Sequence, residues 1–128
     1  MNSNDSNAPI KLTVACDPVY ARLVRMTAAN VATLSSMSVD RVEDIRMAAE
    51  EAFIYACATA GAHKLEVAFD VDPSHVCMTF PLDAEAFSEP SEDDPTAVYV
   101  DLILGSVCDS YQKLDHPAVL VLDVKADL

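Results

Sequence analysis

Ser38 to Gly61, SVDRVEDIRMAAEEAFIYACATAG, reads as one long amphipathic helix with both ends marked. Ser38 suits an N-cap, because its hydroxyl can accept from a first-turn N–H that has no helical partner. Asp40, Glu43 and Asp44 set negative charge near the positive end of the helix dipole. Val42, Ile45, Ala49, Ala52, Phe53, Ala56 and Ala60 recur at three- and four-residue steps and make one face. Small residues dominate that face, so another surface is expected to approach closely. Gly61 then stands where a C-cap belongs.

Outward from this helix the chain falls into short, readable pieces. Pro9–Asp17, PIKLTVACD, alternates at Ile10, Leu12 and Val14 and predicts a strand. Asp17-Pro18 is a helix start, and the helix should run to about Ser35. Its apolar stripe is expected at Tyr20, Leu23, Val24, Thr27, Val31 and Leu34, with Arg22 and Arg25 off it on a solvated face. Beyond Gly61, His63–Asp70 and His75–Leu82 both alternate and flank Asp72-Pro73-Ser74, which predicts an antiparallel hairpin. Asp83–Asp94 has six acids in twelve residues and reads as a mobile loop. Asp94-Pro95 opens a helix expected to reach about Tyr111 and to bury Val98, Leu102, Ile103 and Val107. A short extended stretch, Tyr111–Leu114, a turn at Asp115-His116-Pro117 and a last strand, Ala118–Lys125, complete the chain. That strand is apolar enough to suit burial on both faces. The order β α α β β α β β predicts an α+β fold, a two-layer sandwich with a mixed, mainly antiparallel sheet and helices on one face.

Bulk properties narrow the function classes. With 128 residues, the chain suits one domain with one core. Residues 1–8 are expected to be a disordered lead, lacking a basic region and an apolar segment, with the domain spanning 9–128. No apolar run is long enough to cross a membrane. The net charge of −13, from 21 acids and 8 bases, would repel a nucleic-acid backbone. Neither nucleic acid nor membrane is expected as a partner. Cys16, Cys57, Cys77 and Cys108 lack CxxC spacing and are expected as free thiols of a cytoplasmic protein. His75 and Cys77 can share one strand face, but two ligands make a weak metal signal, and no metal is expected.

The element order, with two consecutive helices near the start, resembles the ATP-binding domain of the histidine-kinase-like (GHKL) ATPases, and most of all the bacterial anti-sigma-factor serine kinases. Residues from Leu12 to Lys125 take part. Glu50-Glu51-Ala52-Phe53-Ile54-Tyr55-Ala56 aligns with that family's S-E-A-x-T-N-A motif. Arg25, in YARLVRMTAANVA, falls where such kinases often have an arginine, and LILGSVCDSYQ resembles their last helix and its exit. The resemblance implies a general-base role at the Glu51 position and a Mg²⁺-holding asparagine at the Tyr55 position.

This chain departs from the family where nucleotide should bind. A phenol is a poor ligand for Mg²⁺, which prefers hard oxygens in octahedral geometry. Leu82-Asp83-Ala84-Glu85-Ala86 stands where the family has an Asp-x-Gly-x-Gly turn, and Val98-Tyr99-Val100 where it has a glycine-rich lid. Glu51 is thus a vestigial base position, and Tyr55, Asp83, Val98 and Val100 mark a degenerate nucleotide site. The expectation is a pseudokinase without ATP or Mg²⁺, a regulator of transcription acting by partner switching. Carried over from the family, its partners would be a sigma factor or a STAS-type anti-anti-sigma protein, met through Arg22 and Arg25, and it would form a homodimer. Two alternatives stay open: an active kinase with drifted motifs resting on Glu51, or a small-molecule sensor whose vacated site is lined by Met47, Tyr55 and Tyr99.

Overall fold

A computed structural model of the chain describes residues 9–60, 63–82 and 96–128. The expected N-terminal lead, the Gly61 cap, the acidic loop and the Asp94-Pro95 helix start lie outside these residues. Five strands and three helices follow in order: β1 (Ile10–Ala15), a 3-10 turn (Pro18–Tyr20), α1 (Ala21–Ala32), α2 (Val39–Ala60), β2 (Lys64–Asp72), β3 (His75–Pro81), α3 (Thr96–Val107), β4 (Ser110–Leu114) and β5 (Val119–Lys125). The strands form one sheet in the order β1-β2-β3-β5-β4. Every neighbouring pair is antiparallel, so the expected mixed sheet is corrected to an antiparallel one. The short connections between β2 and β3 and between β4 and β5 allow this pairing directly.

Strand alternation sets the core. Leu65, Val67 and Phe69 of β2, Val76, Met78 and Phe80 of β3, and Leu120, Leu122 and Val124 of β5 are buried on one face beneath the helices. The opposite face carries Asp70, Cys77, Thr79, Val121 and Asp123 in register, and these are half-buried or exposed. The last strand is therefore fully buried on one side only. No described helix is long and apolar enough to cross a membrane.

The central helix behaves as its pattern predicts. The Arg41 N–H donates to Ser38 Oγ at 3.2 Å, and Ser38 is itself held by Asp127, whose two oxygens accept from its N–H and hydroxyl at 2.8 and 2.6 Å. Ile45, Ala49, Ala52, Phe53 and Ala56 are fully buried, joined by Ala48 and Tyr55. Arg41 ties the start of α2 to the rest of the fold: it pairs with Asp44 and Asp109 and donates to the carbonyls of Lys125 and Val107.

The first and last helices differ from expectation in phase. Asp17 does cap the start, its Oδ1 accepting from the Val19 N–H at 3.0 Å, but a 3-10 turn precedes α1. Ala21, Val24, Ala28, Val31 and Ala32 face inward, whereas Tyr20, Leu23 and Leu34 face solvent. Small residues win because α1 packs on the alanine-rich face of α2, where larger side chains would hold the helices apart. In α3 the buried residues are Val100 and Leu104, while Val98 and Leu102 are exposed.

Candidate functional site

Tyr55 is only 5 % exposed, and its ring is covered by the Lys113 ammonium of β4, 5.0 Å from the ring centroid. That distance is within cation–π range. Lys113 also pairs with Asp101 of α3 at 3.0 Å, and the Tyr111 hydroxyl donates to the same carboxylate at 2.8 Å. The cluster links α2, α3 and β4. Burial works against the charged form of Lys113, but its bonds to Asp101 and Tyr55 outweigh this and raise its pKa. Burial and the bond to Asp101 likewise push the Tyr111 phenol up, so it stays a donor.

Glu51 lies one helical turn before Tyr55 and is half-buried. Burial first, and then the neighbouring Glu50 charge, raises its carboxyl pKa. A raised carboxyl suits a base in principle. Here it stands one turn from a covered tyrosine, where the family motif would put a metal-holding amide. Val100 is buried and Val98 exposed, so the two positions that the resemblance assigned to a lid do not share an environment. Asp83 lies outside the described residues. Met47 and Tyr99 are about half exposed, and Met47 lines a cleft whose lining includes neither Tyr55 nor Tyr99.

The two arginines of α1 part company. Arg25 bonds Glu50 of α2 through Nη1 at 2.9 Å and is half-buried. It borders a cleft of about 280 Å³ with Glu43, Asp44, Arg46, Met47 and Glu50. Arg22 is exposed and makes no ion pair among the described residues. It lines a groove of about 360 Å³ with Val19, Leu23 and Met26. Those residues recur at i, i+3, i+4 and i+7 and share one helical side. Val19 is 70 %, Leu23 48 % and Met26 47 % exposed. Sequence reasoning missed this apolar groove because it assigned Leu23 to the core; Val19, Leu23 and Met26 at i, i+4 and i+7 were the signal.

On the open face of the sheet, His75 bonds Asp123 through Nδ1 at 2.6 Å and Asp72 through Nε2 at 3.1 Å. Cys77 stands opposite Asp123 in register. Among the described residues no group of three or more His, Cys, Asp or Glu side chains is placed to hold a metal ion. No family model matches the chain, and no curated protein matches it.

Proposed function

We propose that the chain is a regulatory binding protein of the histidine-kinase-like ATPase type, related to the anti-sigma-factor kinases, that works by partner switching without nucleotide. The observation that carries the binding role is the α1 groove. Three large apolar side chains are exposed there, beside an arginine that makes no ion pair among the described residues. Exposed apolar area rimmed by charge marks an interaction surface. In a chain with a net charge of −13, an exposed guanidinium is a scarce positive group that attracts a partner's carboxylate. A sigma factor or STAS-type protein is the expected partner.

Support for nucleotide independence comes from Tyr55. Its buried ring and the Lys113–Asp101 pair occupy space at the position corresponding to the family's metal ligand. The strand order, with two helices between β1 and β2, is compatible with the family architecture. The alternative of an active kinase rests on Glu51 alone.

The test is affinity capture from the native cell with wild-type and Arg22→Glu bait, the recovered proteins being identified. Recovery of a sigma factor or STAS protein by the wild type and its loss with Arg22→Glu supports the reading. Repeated absence of both overturns it. Millimolar Mg·ATP that raises the melting temperature overturns nucleotide independence.

A further inference from the structure

His75, at the start of β3, faces a carboxylate on each of its two ring nitrogens. Nδ1 lies 2.6 Å from Asp123 of β5, and Nε2 lies 3.1 Å from Asp72 at the end of β2. A neutral imidazole carries one N–H and an imidazolium carries two. Only the protonated ring can donate to both carboxylates at once. The other charged or titratable groups around it have stations of their own. Asp70 and Cys77 stand opposite each other one row along, and the thiol is held up by burial first and then by Asp123 and Asp70, so it stays uncharged. Lys125 is the register partner of His75 and is exposed. Arg41, reaching from α2, is engaged by Asp44, by Asp109 and by the Lys125 carbonyl.

Asp72 also builds the turn between β2 and β3. Its Oδ1 accepts from the Ser74 N–H and hydroxyl, each at 2.7 Å, and from the His75 N–H at 3.1 Å, while Oδ2 faces the ring. Two carbonyls of that turn hold other parts of the chain. Pro73 O accepts from the Ser36 N–H at 3.1 Å, and Ser74 O from the Ala126 N–H at 2.8 Å. Ser36 lies in the connection between α1 and α2, and its own carbonyl accepts from the Leu128 N–H at 3.0 Å. Asp127, between those tail residues, accepts from Ser38 at the start of α2. Turn, connection and tail thus form one hydrogen-bonded junction.

We infer that His75 is a proton-operated latch on this junction, closed when the ring is protonated and slackened when it is neutral. The ring gives up its Nε2 proton to solvent and keeps the shorter Nδ1–H bond to Asp123. The Nε2 lone pair then faces Asp72 Oδ2, and the repulsion falls on the turn that supplies the Pro73 and Ser74 carbonyls. The hydrogen bond to Asp123, helped by both carboxylate charges, outweighs burial and holds the ring above its ordinary pKa. The latch therefore closes at low pH and opens as pH rises through the folded-state value. It does not rest on the partner-switching reading, and its test involves no partner.

The full chain is followed by NMR between pH 6 and 8.5, reading the imidazole nitrogens and the exchange of backbone amides corrected for intrinsic rates. Both ring nitrogens should be protonated at the low end, with a midpoint above about 6.5 and an Nδ1–H tautomer beyond it. Across that midpoint the protection of the Ser36 and Ala126 amides should fall about two- to fivefold, the range expected for a partly exposed ion pair. Amides in the middle of β3 and β5 should not follow. His75→Gln cannot titrate and should abolish the step. Asp72→Asn keeps an oxygen for the turn, offers an N–H to the neutral ring, and should abolish it too. A midpoint at or below about 6.5 overturns the proposal. So does a neutral ring that keeps its proton on Nε2, a titrating ring with no change at Ser36 and Ala126, or the same fall in His75→Gln.

Discussion

Replacing Tyr55 with asparagine supplies the side chain that the motif of the proposed family has at this position, and it should damage the protein without creating nucleotide binding. Tyr55 is 5 % exposed and packs within the buried cluster. Removing a buried aromatic body costs roughly 3–5 kcal/mol. Loss of the Lys113 contact adds about 0.5–1 kcal/mol, since Lys113 is only partly desolvated. A total of about 4 kcal/mol is expected, or roughly 15 °C in melting temperature at about 4 °C per kcal/mol for a domain of this size. Tyr55→Phe keeps the ring and loses only the hydroxyl, and should cost about 1 kcal/mol. The assay is urea denaturation of the three proteins, followed by thermal melts with and without Mg·ATP. A ligand at a hundred times its Kd would add about 2.7 kcal/mol, which is easily seen. The asparagine variant should show no such gain, because Ala84 and Ala86 still stand where the family has glycines. A cost below about 1 kcal/mol for Tyr55→Asn would refute the packing argument. A clear Mg·ATP shift in that variant would refute the claim that the other departures close the site independently.

Four further outcomes follow from the same geometry. His75 is held above its ordinary pKa chiefly by its hydrogen bond to Asp123, with burial opposing and Asp72 assisting. A raised folded-state pKa contributes stability that is full below about 6.5 and is lost as pH rises through the folded value. His75→Gln should thus narrow the gap to wild type between about pH 6 and 8 in denaturant titrations, by under about 1 kcal/mol because the pair is partly exposed; an unchanged gap would sink the ion-pair account. Arg41→Ala strips partners from Asp44, Asp109 and two carbonyls and should cost about 2–3 kcal/mol by urea denaturation, with Arg41→Lys recovering less than half. Arg22→Glu should leave folding stability within about 0.5 kcal/mol, because its side chain is exposed and makes no ion pair among the described residues, while Arg25→Ala should cost about 1 kcal/mol by breaking the Glu50 pair.

The parts of the fold that were legible are those where one periodicity dominates. β2 and β3 alternate cleanly, Asp72 closes their turn by accepting from Ser74 and His75, and the hairpin follows directly. α2 is polar enough on its outer side for its apolar face to stand out. α1 carries small apolar residues on one side and large ones on another, and α3 is apolar nearly all round, so their composition predicts helices but not which side is buried. The site divides in the same way. Glu51 and Tyr55 could be placed on one helix from spacing alone. Lys113 and Asp101 could not, because they reach Tyr55 from elements far along the chain, and no local pattern encodes that meeting. Arg22 and Arg25 look alike in sequence; the approach of Glu50 from α2 pairs Arg25 and leaves Arg22 exposed.

The phase of α1 links the packing to the proposed function. Ala21, Ala28 and Ala32 face α2, whose own inner face is Ala48, Ala49, Ala52 and Ala56. Alanines on both sides let the helices approach closely and leave no room between them for Leu23 or Met26. Those side chains are therefore turned outward by the same packing that makes the helix pair stable. Their exposure costs the folded monomer little beyond lost burial, at roughly 25 cal/mol per Å² of apolar area, and that area becomes available to a partner. The same small residues that build the core from the central helix thus determine that the first helix presents Val19, Leu23 and Met26 beside Arg22.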